Sequence, residues 1–254
     1  AAFKEQSMLD SMLDYMGREI GTLKERDGFL REKDKEAKVL LFFKAKLDMT
    51  VNAIADRQAV LGGVGFEPMS GHMRNKYAAA ADVLALLQVT MEGHMPTMQN
   101  LLRSQPKRDA DINLIQEIAS LLVLQVEGSG TTGTNELSRM EDTEVEALSA
   151  VLDVLIEATQ GPCAANQLLV ASDSALLSAL DKIMQSPFHP RVSDDNKLDV
   201  KSNAVKLLAS CLEGRKDRVI HRFVASARMR SRSSPSSSSA SQSSSSASTA
   251  IALI

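Results

Sequence analysis

Four histidines and two cysteines are the side chains best suited to metal or nucleophilic chemistry in this 254-residue chain. Their spacing argues against both uses. His72, His94, His189 and His221 stand far apart, whereas a zinc site wants ligands in close pairs, Cys-x-x-Cys or His-x-x-x-His on one helix face. Each histidine therefore reads as a turn or surface residue. Acidic pairs such as Asp194-Asp195 fall where a helix begins, and there carboxylates accept free N–H groups and meet the helix dipole. A calcium loop needs alternating oxygen ligands, a mid-loop glycine and a closing glutamate, a pattern not present here. The glycine-rich stretches Leu61–Pro68 and Gly128–Gly133 lack the following Lys-Ser/Thr and the preceding strand of a phosphate cradle, so both read as structural loops. No cofactor is implied, and the chain does not read as an enzyme. Cys163 is the remaining candidate. A helix start beside it would make the thiol redox-sensitive by lowering its pKa, although a small buried residue packing a junction is the plainer reading.

Cys163 belongs to Gln160-Gly161-Pro162-Cys163-Ala164-Ala165-Asn166-Gln167, and this stretch interrupts two periodic helical patterns. Upstream, Val145, Leu148, Val151, Leu152, Leu155 and Ile156 recur at three- and four-residue steps, on one helix face. Gly161 sits where a left-handed cap is wanted, and Pro162 suits the first position of the next helix, where its missing N–H costs nothing. Asn166 and Gln167 can hydrogen-bond the backbone groups that a helix end leaves unpaired. The expected role of Gln160, Gly161, Pro162, Cys163, Asn166 and Gln167 is to set the angle between two helices.

The junction resembles the RIH-associated domain of inositol-trisphosphate receptors and ryanodine receptors, and further segments follow the same order. Met98–Gln105, with Gln99, Asn100 and Arg103, is similar to that family's Gln-Asn-x-Leu-Arg-x-Gln helix end. Gly128–Gly133 resembles a loop of the inositol-trisphosphate branch. Leu198–Leu208, with Asn203, resembles a Leu-Lys-x-Asn-Ala-x-Lys-Leu-Leu helix, and Cys211–Arg215 closes the match, which runs from about residue 80 to 222. The resemblance implies a cytosolic regulatory module of an intracellular ligand-gated calcium-release channel at the endoplasmic reticulum. Its implied partners are other domains or subunits of a tetrameric channel, and its implied role is to relay movement to a pore that this chain does not contain. A free-standing helical scaffold for protein interaction is the alternative.

Composition fits helices. Aromatics are only 4% and tryptophan is absent, while twelve methionines supply bulk; unbranched side chains suit helix interiors better than sheets. The net charge of −3 gives no reason to expect nucleic acid or a membrane surface as main partner. Two cysteines cannot build a disulfide framework, which points to reduced thiols. The longest clean apolar run, Val39 to Phe43, is far short of the roughly 20 residues of a membrane helix.

Four regions follow: a charged, amphipathic helical segment (1–61), a linker (62–77), the RIH-associated-like domain (78–224) and an Arg/Ser-rich tail (225–254). In the first, Met8, Leu9, Met12, Leu13, Met16 and Ile20 form a stripe, and Lys24 to Lys38 interleaves acids with bases as a solvated helix face does. In the third, helices are expected over Ala78–Val89, Ile112–Val126 and Glu136–Ala158. Two more follow, one capped by Ser172 or Asp173 and one capped by Asp194, Asp195 or Asn196. The expected fold is all-α, stacked antiparallel helices in an armadillo-like array without a fixed sequence period. The serine-dominated tail cannot bury enough apolar surface to order itself. At its entrance, Arg230-Ser231-Arg232-Ser233-Ser234-Pro235 fits a phosphosite at Ser233 and a phosphoserine reader such as a 14-3-3 protein.

Overall fold

The computed structural model describes residues 35–62, 66–105, 111–128, 136–161 and 163–215, together with Met16 and Arg18. Ser233, Pro162 and most of the methionine stripe lie outside the described residues. Among the described residues, eight α-helices with defined bounds run in order: α1 (Lys35–Leu61), α2 (Gly71–Met91), α3 (Pro96–Arg103), α4 (Leu114–Glu127), α5 (Asp142–Thr159), α6 (Ala164–Ser172), α7 (Ser174–Gln185) and α8 (Asp194–Leu212). A 3-10 turn, Glu136–Arg139, precedes α5. Among the described residues there is no strand, and the architecture is the expected all-α helical array.

Helix α5 is the central element because it is apolar on more than one face. Val145, Leu148, Val151, Leu152, Val154 and Leu155 are all fully buried, each worth roughly 1.5–3 kcal/mol of gross burial. A helix apolar all round must be covered all round. Helices α2 and α8 pack along α5, α4 covers a third side, and α1 lies across α2 and α4. Leu40, Phe43, Leu47 and Ile54 of α1 join the same core as Leu84 of α2, Ile118 of α4 and Leu148 of α5.

Several boundaries differ from the sequence expectation, each for a local reason. Helix α2 begins at Gly71, inside the stretch read as linker, because Ser70 Oγ accepts the Met73 N–H at 3.2 Å. The single helix expected over Glu136–Ala158 is broken at Met140. The α5 N-terminus starts afresh where the Glu144 carboxylate accepts the Glu141 N–H at 2.8 Å, one arm of a capping box. Ser193, not the neighbouring Asp194, Asp195 or Asn196, caps α8, its hydroxyl accepting the Asn196 N–H. Asp173 caps α7 as expected, accepting the Ala175 and Leu176 N–H groups at 3.0 Å each. Helix α6 starts at Ala164, with Cys163 as its N-cap.

Helix α1 is stitched to the remainder by polar contacts as well as by packing. Arg57 Nε meets Glu144 Oε1 at 3.2 Å with both side chains buried, and its Nη2 donates to the Glu67 carbonyl at 2.8 Å. Gln58 Nε2 donates to the Leu124 carbonyl at 2.9 Å, and Arg139 Nη2 donates to the Leu61 carbonyl.

Candidate functional site

Helix α5 ends at Thr159, and an α-helix leaves its last carbonyls without intrahelical donors. Those of Ala158 and Thr159 are buried and those of Glu157 and Gln160 partly so, and a buried unpaired carbonyl costs about 1–3 kcal/mol. Three side-chain carboxamides meet them. Gln99 Nε2, from α3, donates to the Glu157 carbonyl at 2.6 Å and the Gln160 carbonyl at 2.9 Å. Asn166 Nδ2, from α6, donates to the Ala158 carbonyl at 2.8 Å and the Gln99 carbonyl at 3.2 Å. Gln167 Nε2, its neighbour, donates to the Thr159 carbonyl at 3.2 Å.

Gln167 also reaches the C-terminus of α8, donating to the Ser210 carbonyl at 2.9 Å and the Glu213 carbonyl at 3.1 Å. One amide group thus closes two helix ends. The Thr159 and Ser210 hydroxyls pair across the same gap at 2.5 Å. Outside it, Gly161 N–H donates to Glu213 Oε2 at 3.3 Å and Arg215 Nη1 donates to the Ala164 carbonyl at 2.8 Å. Gln99, Asn166 and Gln167 are fully buried, and among the described residues no group donates to their carboxamide oxygens. Their N–H donors are the half of each group that the junction uses.

Gly161 turns the chain at the end of α5 with φ +66°, a conformation glycine adopts without penalty. A second constraint acts at the same place. A Cβ on Gly161 would stand 2.4 Å from His94 Cβ and 2.7 Å from His94 Cγ. His94 itself has φ +57° in the turn between α2 and α3. Gln160 contributes its main chain, with its N–H donating to the Ile156 carbonyl at 2.9 Å. Cys163 is buried at the α6 N-cap without a side-chain capping bond, as a packing residue would be. Cys211 is buried too, and burial pushes its thiol up to about 12.

The structure does not bring every motif residue to this junction. Asn100 and Arg103 bond each other on the exposed side of α3, Arg103 Nη2 donating to Asn100 Oδ1 at 2.7 Å. Asn203 lies about two turns back along α5, where its Nδ2 donates to Asp153 Oδ1 at 2.8 Å and Ser149 Oγ at 3.1 Å. Lys206 Nζ donates to Asn203 Oδ1 at 2.9 Å. Sequence reasoning misses His94, Thr159, Ser210 and Glu213 as junction residues. Only Thr159 and Ser210 carry a usable signal, as lone hydroxyls closing apolar helix patterns. Of the other histidines, His189 stacks on Phe66 at 3.9 Å, His72 is exposed, and His221 lies outside the described residues.

Asp153 borders an open groove of about 250 Å³ between α2, α5 and α8. Burial is the main cause holding its carboxyl above the ordinary carboxylate range; Asp199 and Glu157 add to this and Lys206 opposes it. A carboxyl raised in the fold keeps a proton that the unfolded chain has released. The stability tied to it is therefore complete at low pH and is lost as pH rises through the folded value. Asp153→Asn should melt higher than the unaltered chain at pH 7, with the gap shrinking as pH falls toward 4. Paired thermal melts between pH 4 and 8 check this, and a gap independent of pH would reject it.

Among the described residues, no group of three His, Cys, Asp or Glu side chains could hold a metal ion, and no helix is long and apolar enough to cross a membrane. The junction's chemistry is hydrogen bonding: it holds the ends of α5 and α8 and the starts of α3 and α6 in one arrangement.

Comparison with known proteins bears on the same residues. The family model described as "RyR and IP3R Homology associated" matches residues 74–184. The chain is similar to the inositol 1,4,5-trisphosphate receptor of Caenorhabditis elegans, 30% identical over 142 residues. That alignment covers 55% of this chain and 5% of the receptor, so the chain spans a small part of that relative's length. The matched residues hold Gln99, Asn166 and Gln167, while Ser210 and Glu213 lie past the end of the matched stretch.

Proposed function

We propose, from the premise that residues 74–184 form an RIH-associated domain of the inositol-trisphosphate and ryanodine receptor family, that this chain is a regulatory module of an intracellular calcium-release channel. The channel is of the inositol-trisphosphate receptor kind, and the module acts on the cytosolic face of the endoplasmic reticulum. Its partners are other domains or subunits of the assembly, and its work is to pass ligand-induced movement toward the pore.

The observation that supports this reading is the carboxamide junction. A relay needs elements that move as rigid bodies, with compliance confined to the connections between them. Gln99, Asn166 and Gln167 tie α3, α5, α6 and α8 together through buried donors, so a displacement of α3 carries the end of α5 with it. Buried bonds of this kind resist small shifts, because each broken one leaves a polar group without a partner.

The test compares two variants of similar stability cost, introduced at the chromosomal locus. Gln167→Leu disturbs the junction. Leu180→Ala leaves it intact but opens a cavity under the fully buried Leu180 of α7, at about 2–5 kcal/mol. At matched protein abundance, Gln167→Leu should shift the inositol-trisphosphate concentration that half-empties the stores, and Leu180→Ala should leave it near that of unaltered cells. Equal dose responses for both variants would overturn the relay.

A further inference from the structure

A small polar cavity of about 10 Å³ lies between α1, α2, α4 and the start of α5, walled by Arg57, Gln58, Tyr77, Gln125, Glu136 and Glu144. Gln125 is 3% exposed, yet among the described residues neither its Nε2 nor its Oε1 meets a partner. Gln58 donates its Nε2 to Leu124, and its buried Oε1 is likewise unmet. A carboxamide with both ends unbonded is costly in a protein interior, and a leucine of similar size would carry no such cost.

The charges in the wall are already balanced, Arg57 with Glu144 at 3.2 Å and Arg139 with Glu136 at 3.7 Å. The cavity therefore suits a neutral guest and not an ion. Its volume is room for roughly one water, and such a site must offer two to four polar partners. Gln125 supplies a donor and an acceptor, and Gln58 supplies an acceptor. Burial pushes the Tyr77 phenol up, so its hydroxyl keeps its proton beside the same space.

We infer that this cavity is a hydration site for one structural water, which bonds Gln125 and Gln58 and so joins α4 to α1 beside the Arg57–Glu144 pair. The water completes the attachment of α1, whose polar contacts to α4 otherwise include the Gln58–Leu124 bond. It also accounts for a glutamine at position 125, a site facing the core on a helix whose other buried residues are apolar.

The test is a high-resolution crystal structure of the full chain, with thermal melts of the chain and of Gln125→Leu. The expected result is one water within hydrogen-bond distance of Gln125 and Gln58 Oε1, and a melting temperature about 3 °C lower for Gln125→Leu. A cavity without water density would overturn the inference. So would a Gln125→Leu variant that melts at the same temperature or higher, because a dry glutamine gains by becoming leucine. The water density decides the matter alone if Gln125→Leu does not fold.

Discussion

Gly161→Ala should lower folding stability by roughly 2–5 kcal/mol, read as a shift in the midpoint of equilibrium denaturation. Two costs add. A side chain at φ +66° costs about 1–2 kcal/mol, and a Cβ 2.4 Å from His94 Cβ forces a displacement costing about 1–3 kcal/mol. The overlapping atoms are His94 Cβ and Cγ, close to the main chain and not at the free end of a flexible side chain, so relief requires the turn itself to shift. The two costs separate in a double-mutant cycle. With His94→Gly in place the overlap is gone, and the Gly161→Ala penalty should fall to about 1–2 kcal/mol, the conformational part alone. An equal penalty in both backgrounds would show that the close approach to His94 carries no weight.

The second large effect is expected at Gln167. Gln167→Leu keeps the volume but removes the donor shared by the Thr159, Ser210 and Glu213 carbonyls. An amide has two hydrogens for these three acceptors, so the loss is about 2–4 kcal/mol and not three full bonds. Gln167→Glu is the informative companion. It has nearly the same shape, but an ionised carboxylate only accepts and would stand against carbonyls at the negative ends of two helices. Gln167→Glu should therefore be at least as destabilising as Gln167→Leu at pH 7, and should recover part of the loss at pH 5, where a protonated carboxyl can donate. If Gln167→Glu proves milder than Gln167→Leu at neutral pH, the bonds assigned to this side chain are wrong.

Much of this arrangement is legible in the sequence, because it is local. The α5 face follows from the spacing of Val145, Leu148, Val151, Leu152 and Leu155, and the turn follows from Gly161. That Asn166 and Gln167 bond backbone groups follows from their place beside a helix end. What the spacing does not encode is which backbone. The reach of Gln167 to Ser210, 43 residues on, and of Gln99 to Glu157, 58 residues away, depends on how helices stack. Periodicity says only that they must stack. His94 reads as a surface or turn residue, and it is exposed; its importance comes from the glycine it touches. The interruption before α5 leaves no mark in the sequence because Glu136-Leu137-Ser138-Arg139 has ordinary helix-forming composition. The break is capped locally by Glu144 on the Glu141 N–H, and tertiary partners hold the same two carboxylates, Glu144 with Arg57 and Glu141 with Arg74 at 3.1 Å.

The stitching of α1 bears on where this protein can be divided. The stretch that the family model matches begins at residue 74, but Arg57 reaches Glu144 from α1, and α1 covers apolar faces of α2 and α4. Trimming to the matched stretch would bare those faces, and trimming after residue 184 would remove α8 and leave Gln167 facing solvent in place of the Ser210 carbonyl. The matched stretch is thus shorter than the set of helices packed together. A fragment designed for expression, or for transplanting this module into another protein, has to follow the helix contacts and run at least from α1 through Glu213.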